Sequence, residues 1–289
     1  MLKIGSSFYD PPGLIALIVI QAKVIFQLIC KEKINWDAEI PEPIATLWKK
    51  FLSHLKQIKC VKIPRYIFTG NEQRMQVHGF CGASEKAYCC VVYVRVETVN
   101  GVRVQLVTAK TKVAPLKKVT IPRLELLSCL LLAKVLSSIS DILREKLKGA
   151  PITCWNDSSS ALGWIRGEDK RWSPWVEERA KKVRAIVEAA LWRHLPGSLN
   201  PADIATRTIS PEDVNSDSKW LTAPAFLYED PNKWPVTPVD ENITLELKGA
   251  PVIANVAVSS EPVIDTEKYS SLYRQYRVTV SCSCFCLSF

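Results

Sequence analysis

Three acidic side chains, Glu125, Asp157 and Asp203, stand where predicted helices or strands begin or end. Clustered carboxylates suit metal-dependent cleavage of a phosphodiester, because two divalent ions about 3.5–4 Å apart activate a water and stabilise the leaving oxygen. Mg²⁺ or Mn²⁺ would be the expected cofactor, since hard cations prefer carboxylate and water oxygens. His194 is close to Asp203 in sequence and could assist proton transfer. These residues therefore predict a catalytic metal site if the fold brings them together.

Each of the three acids also has a purely structural explanation. Asp157 directly precedes Ser158 and could cap the helix predicted to begin there. Asp203 falls near the third position of a helix that follows Asn200, and Glu125 falls in the first turn of a long helix. A carboxylate in either place gains from free N–H groups and from the helix dipole. Position alone therefore leaves both explanations open.

The surrounding pattern predicts three strands followed by alternating helices and short strands. Apolar residues alternate in the strands, and Asn100-Gly101 between two of them predicts a hairpin with a type I′ turn. The predicted strands cover residues 75–81, 87–97, 102–106, 152–155 and 191–195, and the predicted helices cover residues 122–136, 158–166, 174–190 and a stretch after Asn200. This order predicts an α/β fold with a mixed sheet, namely an antiparallel three-strand meander plus parallel strands, with flanking helices.

Composition divides the chain into three sections. Residues 1–70 form a small helical section with predicted helices at 14–30 and 43–57, residues 71–210 contain the sheet, and residues 211–289 resemble a linker rich in Pro, Asp, Ser and Thr. The apolar run at 14–20 is far shorter than the ~20 residues that a membrane-spanning helix needs. We therefore expect an intracellular protein, cytoplasmic or nuclear, without a membrane span.

Basic residues exceed acidic ones by 38 to 29, which gives a formal net charge of +9. Such a surplus favours a polyanionic partner, because Lys and Arg replace the counterions around phosphates. A run without any acid contains Lys110, Lys112, Lys117, Lys118 and Arg123. It could bind a nucleic-acid backbone, or it could be a solvated basic loop.

A second basic group lies among tryptophans. Arg166, Lys170 and Arg171 are interleaved with Trp164, Trp172 and Trp175. Aromatic rings beside basic groups can stack on bases, although tryptophans at this spacing also serve as core residues. Arg166 is therefore a further candidate for nucleic-acid binding.

The ten cysteines do not predict a zinc site. Seven of them lie in apolar runs, which is typical of buried thiols in a reducing compartment, and no Cys-x-x-Cys pair occurs. The other three, Cys282, Cys284 and Cys286, crowd the C-terminus, where a frame or splice error explains the sequence better than a metal site does.

Several long motifs resemble the RNase H region of BEL/Pao-type retrotransposon polyproteins. They read TIPRLELLSCLLLAKVL at 120–136, CWNDSSSALGWIRG at 154–167 and WRHLPGSLNPADIATR at 192–207, and residues 77–96 resemble the first strand and hairpin of that region. Residues 8–30 and 48–67 resemble the tail of the family's reverse transcriptase, and residues 268–280 resemble the lead-in to its integrase section. The family also bears the name Pao retrotransposon peptidase. The resemblance implies an RNase H-like fold, an RNA–DNA hybrid as partner, and contact with other sections of the polyprotein.

The resemblance also implies a site of Asp, Glu, Asp and Asp in chain order, with the first Asp expected to touch both metal ions. Glu125, Asp157 and Asp203 match the last three residues, but Gly82 occupies the first position and cannot ligate metal. We therefore expect hydrolysis to be impaired or absent. A degenerate ribonuclease, a non-catalytic binding remnant and a decayed fragment remain open. A peptidase is disfavoured, because the chain contains no Asp-Ser-Gly or Asp-Thr-Gly.

Overall fold

A computed structural model describes residues 1–247, except for 6, 36, 59–62, 64–65, 69, 144, 168–171, 208–212, 214–216, 236 and 239–244. The predictions for Lys170, Arg171, the C-terminal cysteines and most of the 211–289 section therefore lie outside the described residues. The helices are α1 (Leu2–Gly5), α2 (Ala16–Lys31), α3 (Glu42–Ile58), α4 (Ile121–Ile142), α5 (Ser159–Arg166), α6 (Pro174–Arg184), α7 (Ala202–Thr206) and α8 (Lys219–Thr222). The strands are β1 (Arg74–Ala83), β2 (Ala87–Thr98), β3 (Gly101–Val113), β4 (Ile152–Asn156) and β5 (Trp192–His194).

The five strands form one mixed sheet in the order β3-β2-β1-β4-β5. The first three strands pair antiparallel, whereas β4 pairs parallel with β1 and β5 pairs parallel with β4. Long apolar stretches in β1 and β2 are buried on both faces, as expected for central strands covered by helices. The predicted α/β architecture, a three-strand meander continued by parallel strands, is confirmed.

The hairpin between β2 and β3 is confirmed, but the prediction of its turn type is wrong. Thr98 pairs with Gly101, so the loop consists of Val99 and Asn100 and not of Asn100 and Gly101. Only Gly101 has a positive φ, of 117°, and a type I′ turn would need positive φ at both loop residues. Glycine here opens the returning strand instead of forming the turn.

Helix α4 covers one face of the sheet. Its residues Leu126, Cys129 and Leu132 are fully buried against strand residues such as Cys90 and Val92. Helices α5 and α6 extend this side, and Trp164, Trp172 and Trp192 are buried within it. Predicted helix 174–190 is too long, because α6 ends at Arg184 and a separate 3₁₀ turn, Ala189–Leu191, leads into β5.

The opposite face is covered by elements that come from both ends of the chain. Ile18 of α2 and Phe51 of α3 share a core with Phe80, Val91 and Trp155 of the sheet. Trp220, Phe226 and Trp234, from the proline-rich stretch that the sequence assigned to a linker, are buried in the same core. Two 3₁₀ turns, Ala225–Tyr228 and Pro231–Lys233, place these rings. Burial of one large side chain stabilises a fold by about 1.5–3 kcal/mol, so this stretch contributes directly to the stability of the sheet.

Among the described residues, none of the helices has both the length and the apolar character to cross a membrane. The buried cysteines Cys81, Cys89, Cys90, Cys129 and Cys154 are free thiols, as their apolar sequence context predicted.

Candidate active site

The three candidate acids approach one another beyond the carboxyl ends of the parallel strands β1 and β4. Asp157 directly follows β4, Glu125 lies on α4, and Asp203 lies on α7. The side-chain amide of Asn200 lies 3.3 Å from Oδ1 of Asp157 and 3.4 Å from Oδ1 of Asp203. Glu125 reaches the end of β1, where its Oε1 accepts a hydrogen bond of 2.8 Å from the backbone N–H of Ala83. Residues far apart in sequence thus form one carboxylate cluster.

Two asparagine amides join this cluster to the backbone of β1. The carbonyl oxygen of Cys81 accepts hydrogen bonds of 3.0 Å from Asn156 and from Asn200. The Asn156 amide also lies 3.2 Å from Oε2 of Glu125. Both asparagines are buried, so the amides hold the carboxylates at fixed positions relative to the strand end. Asn156 was not among the predicted site residues, although it directly precedes Asp157 at the end of a strand.

The alternative structural explanations fail for two of the three acids. Ser158, not Asp157, caps α5, because its hydroxyl accepts from the N–H of Ala161 at 3.2 Å. The sequence predicted Glu125 in the first turn of α4, but Glu125 is the fifth residue of this helix. The N–H groups of the helix N-terminus therefore do not account for it. Asp203 does lie in the first turn of α7.

Burial and mutual repulsion leave the cluster poor in negative charge. Desolvation, followed by repulsion from Asp157, raises the pKa of Glu125 to about 8. The same two causes raise the pKa of Asp203 to about 7, although the positive charge of Arg207 opposes them. Arg207 Nη2 lies 2.5 Å from Oδ2 of Asp203. Arg207 directly follows α7 and was not predicted from the sequence, although it stands four positions after Asp203, a spacing at which opposite charges can pair.

Gly82 borders the cluster, and neighbouring side chains occupy the space that a side chain at this position would take. A Cβ atom at this position would lie 2.6 Å from Oδ1 of Asp203 and 2.9 Å from Nδ2 of Asn200. Gly197 provides a second close approach, since a Cβ there would lie 2.8 Å from Oδ2 of Asp157. The space next to Gly82, where the family resemblance places another carboxylate, is therefore closed by polar groups of the cluster itself.

His194 lies at the end of β5 beside Asp157. Its Nε2 is 3.0 Å from the backbone carbonyl oxygen of Asp157, and so that nitrogen carries the proton if the two are hydrogen-bonded. Its buried Nδ1 has no hydrogen-bond partner among the described residues. In this arrangement His194 contacts the backbone of Asp157 and not its carboxylate.

No ready-made metal site accompanies the cluster. Within the described ranges, no group of three or more His, Cys, Asp and Glu side chains is arranged to hold a metal ion. The donor types suit Mg²⁺, but the Asn200 amide lies between the carboxylates of Asp157 and Asp203, and the Arg207 guanidinium occupies an oxygen of Asp203. The present arrangement thus balances the acids with protons, with Asn200 and with Arg207.

The candidate nucleic-acid residues fall into two groups. Lys110 and Lys112 lie half-buried on β3, and Lys117 and Lys118 are exposed in the loop between β3 and α4. Desolvation, together with the charges of Lys110 and Lys134, lowers the pKa of Lys112. We call these four residues (Lys110, Lys112, Lys117 and Lys118) the lysine surface.

Two candidate arginines are already engaged within the protein. Nη2 of Arg166 donates to the carbonyl oxygen of Trp192 at 2.5 Å. Arg123 forms a two-point ion pair with Glu246, with distances of 2.7 Å and 2.8 Å. Trp164 and Trp172 are buried, and Trp175 is half-buried, with the guanidinium of Arg179 over its ring at 3.9 Å.

Three of the solved structures to which the chain is similar carry RNase H in their descriptions, each at low sequence identity. RNase H1 from the halophilic archaeon Halobacterium salinarum NRC-1 shares 13% identity over 45% of this chain and 90% of its own, with a TM-score of 0.30. The N-terminal RNase H domain of a Mycobacterium tuberculosis protein was solved as a fusion with maltose-binding protein. It shares 13% identity over 46% of this chain and 90% of its own, with a TM-score of 0.30. LC11-RNase H1, isolated from compost, shares 15% identity over 46% of this chain and 91% of its own, again with a TM-score of 0.30. No curated protein matches the chain.

The family comparison covers a larger share of the chain. A sequence model described as "Pao retrotransposon-like RNaseH-like domain" matches residues 1–158, which include α1 to α4, the whole β-meander, β4, and both Glu125 and Asp157. The N-terminal helices thus belong to the matched region together with the sheet on which they pack. The chain is a member of the Pao retrotransposon-like RNaseH-like domain family.

Proposed function

We propose that this chain binds the RNA–DNA hybrid of a retrotransposon and that its hydrolysis of the RNA strand is impaired. The observation that carries the proposal is the cluster of Glu125, Asp157 and Asp203 at the ends of β1 and β4, with the space beside Gly82 closed by Asp203 and Asn200. Clustered acids at a sheet edge suit phosphodiester chemistry. The missing fourth carboxylate removes a ligand that this chemistry needs.

Glu125, Asp157 and Asp203 would hold Mg²⁺ or Mn²⁺, which when bound supplies the polarisation of the phosphodiester and of the attacking water. Asn156 orients the Glu125 carboxylate, and Asn200 orients the carboxylates of Asp157 and Asp203. Burial raises the pKa of Glu125 to about 8 in the metal-free cluster, so a metal ion that binds at neutral pH must displace a proton from this side chain. Together with Gly82, this supports weak metal binding.

The lysine surface would bind the backbone of the hybrid. Lys117 and Lys118 are exposed and lie in the loop that leads into α4, the helix that carries Glu125. Phosphate contacts of this kind provide affinity without sequence preference, and they weaken with salt. A half-buried cluster of Lys110 and Lys112 would add positive potential behind them.

Binding can be tested with two matched lysine pairs. Charge reversal of Lys117 and Lys118 to Glu should weaken binding of a fluorescent RNA–DNA hybrid in EDTA, measured by anisotropy, and should reduce its salt dependence. The same change at Lys49 and Lys50, an exposed pair on α3, alters net charge equally and should have little effect. Equal losses from both pairs would show that binding reflects net charge and not the lysine surface.

Hydrolysis needs a separate measurement. The full chain should cut the hybrid no faster in Mg²⁺ than in EDTA, because the site lacks a carboxylate at Gly82. Cleavage in Mg²⁺ that the change Glu125→Gln abolishes would instead show a working site without that fourth acid. The full chain is needed because α2 and α3 share a core with the sheet.

Within this proposal, residues 71–210 carry nucleic-acid binding, residues 1–70 continue a reverse-transcriptase tail, and residues beyond 210 lead towards an integrase section. We also propose that the protein acts inside the cell together with other products of the polyprotein. Because Gly82 impairs hydrolysis, the chain would act mainly as a nucleic-acid-binding module. None of the described residues supports peptidase chemistry.

A further inference from the structure

A short segment near the end of the described chain lies across the start of α4 and α6. Residues 245–247, here called the C-terminal strap, contact three separate elements. The carbonyl oxygen of Leu245 accepts from the indole N–H of Trp164 at 3.0 Å, and Leu247 forms an isolated antiparallel bridge with Trp172. Between them, the carbonyl oxygen of Glu246 accepts from the N–H of Ser173 at 2.7 Å.

The carboxylate of Glu246 occupies a pocket of hydrogen-bond donors. Nε and Nη2 of Arg123 donate to its two oxygens at 2.7 Å and 2.8 Å, and the Ser173 hydroxyl donates to Oε2 at 2.6 Å. The guanidinium of Arg123 is also held over the ring of Trp175, at 5.0 Å from its centre. A planar guanidinium fork with an added hydroxyl is the donor arrangement that suits a phosphate group as well as a carboxylate.

The pocket and the carboxylate cluster share helix α4. Arg123 precedes Glu125 by two residues, so the two side chains leave different faces of a helix that is only about 10–12 Å across with its side chains. Phosphates follow one another at about 3.4 Å of axial rise along a duplex strand, so a hybrid that reaches the cluster would present further phosphates within reach of Arg123. Glu246 keeps a positive φ of 68°, a conformation that non-glycine residues rarely adopt and that the surrounding contacts must hold.

We propose that the C-terminal strap is an autoinhibitory contact, in which Glu246 occupies a phosphate-binding site built from Arg123 and Ser173 and must leave before a nucleic-acid backbone can bind there. The inference rests on the proposed function, because it assigns that surface a phosphate contact and an internal competitor. Arg123 is then a nucleic-acid-binding residue only in the open form, and the closed form lowers the apparent affinity in proportion to its population.

The test compares two single changes of equal charge in the full chain. Glu246→Gln should tighten binding of a fluorescent RNA–DNA hybrid in EDTA by about fivefold or more, because the closed form loses its ion pair. Glu188→Gln removes the same charge from an exposed residue without a capping contact and should change the affinity less than about twofold. Equal gains from both variants would overturn the proposal.

A second background excludes a general charge effect. In a chain that carries Arg123→Gln, the change Glu246→Gln should give no further gain, because the site that the strap covers is already lost. A gain of the same size in both backgrounds would show that Glu246 acts through long-range charge and would refute the strap. Thermal melting of each variant, followed by circular dichroism, checks that the binding measurements compare folded proteins.

Strap opening can also be followed without nucleic acid. The amide of Ser173 donates to Glu246, so its hydrogen exchange reports opening, and Glu246→Gln should accelerate this exchange. Inorganic phosphate at millimolar concentration should accelerate exchange in the residues of the strap by displacing Glu246. If no variant binds the hybrid but phosphate opens the strap, the proposed function fails while the anion site stands. Unchanged exchange in both experiments overturns the strap itself.

Discussion

Gly82→Asp should restore metal-dependent cleavage, and its effects can be worked out from the geometry around Gly82. An added Cβ would lie 2.6 Å from Oδ1 of Asp203 and 2.9 Å from Nδ2 of Asn200, so both side chains must move. Overpacking of this kind costs typically about 1–3 kcal/mol. The new carboxylate also adds repulsion to a cluster in which the pKa of Glu125 is already raised to about 8. Without metal, the variant should therefore be less stable than the natural chain.

Metal should reverse that loss in the variant alone. A ligand present at about 100 times its Kd stabilises a folded protein by ~2.7 kcal/mol, which corresponds to a Tm increase of about 5–10 °C for a chain of this size. Transition-state stabilisation of the same ~2.7 kcal/mol corresponds to about 100-fold in rate. We therefore expect Mg²⁺ to raise the Tm of Gly82→Asp and to support cleavage of a labelled hybrid at least about 100-fold above the natural chain.

Gly82→Asn is the matched control, because it adds the same volume without the charge. It should carry the same steric cost, show no Mg²⁺-dependent increase in Tm and remain inactive. Equal cleavage by the Asp and Asn variants would refute the metal-ligand explanation. Cleavage by the natural chain at the rate of Gly82→Asp would show that another group completes the site.

Three further predictions concern the supporting residues. Arg166→Gln should lower the free energy of unfolding in urea by about 1 kcal/mol but leave hybrid affinity within about twofold, because its guanidinium serves the Trp192 carbonyl; a large loss of affinity with unchanged stability would contradict this. Asn200→Ala should lower the free energy of unfolding in urea by about 1–3 kcal/mol in metal-free buffer, since it strips the bridging amide from the half-buried carboxylate of Asp157 and the buried carboxylate of Asp203. The pKa of Glu125 rises from 4.5 in a free side chain to about 8, so the folded protein holds a proton that the unfolded chain has lost. Through Glu125, metal-free stability should therefore fall as the pH rises from 4.5 to about 8 and level off above, by up to ~1.4 kcal/mol per pH unit, and Glu125→Gln should remove this contribution while leaving the one from Asp203, whose pKa is also raised.

The sequence predicted the sheet because its strands carry strong local signals. Apolar alternation defined β1 and β2, and Asn100-Gly101 marked the hairpin, but the turn type depended on the pairing of Thr98 with Gly101 across the strands. The burial of Trp220 and Trp234 had no periodic signal, since prolines separate short turns and only the face of the sheet gathers the rings into a core. Tertiary contacts of this kind cannot be inferred from local pattern.

The candidate site shows the same division between local and long-range information. Glu125, Asp157 and Asp203 could be named from motif order, whereas the hub at the Cys81 carbonyl joins Asn156 and Asn200 across 44 positions and has no sequence signature. The engagement of Arg123 by Glu246 was equally hidden, because its partner lies 123 positions away. A basic run in sequence therefore overstates the surface that is open to a nucleic acid.

The carboxylate cluster imposes a cost that something in the chain must offset. Buried acids that face one another are stable only when protons, donors or cations reduce their repulsion, and here protonation, the Asn200 amide and Arg207 provide all three. Each of these groups occupies a carboxylate oxygen that a metal ion would need. Gly82 thus has two effects. It provides no metal ligand, and it leaves space that the side chains of Asp203 and Asn200 occupy. Recovery of catalysis consequently requires an acidic residue at position 82 that displaces the side chains of Asp203 and Asn200. Binding through the lysine surface needs no such change.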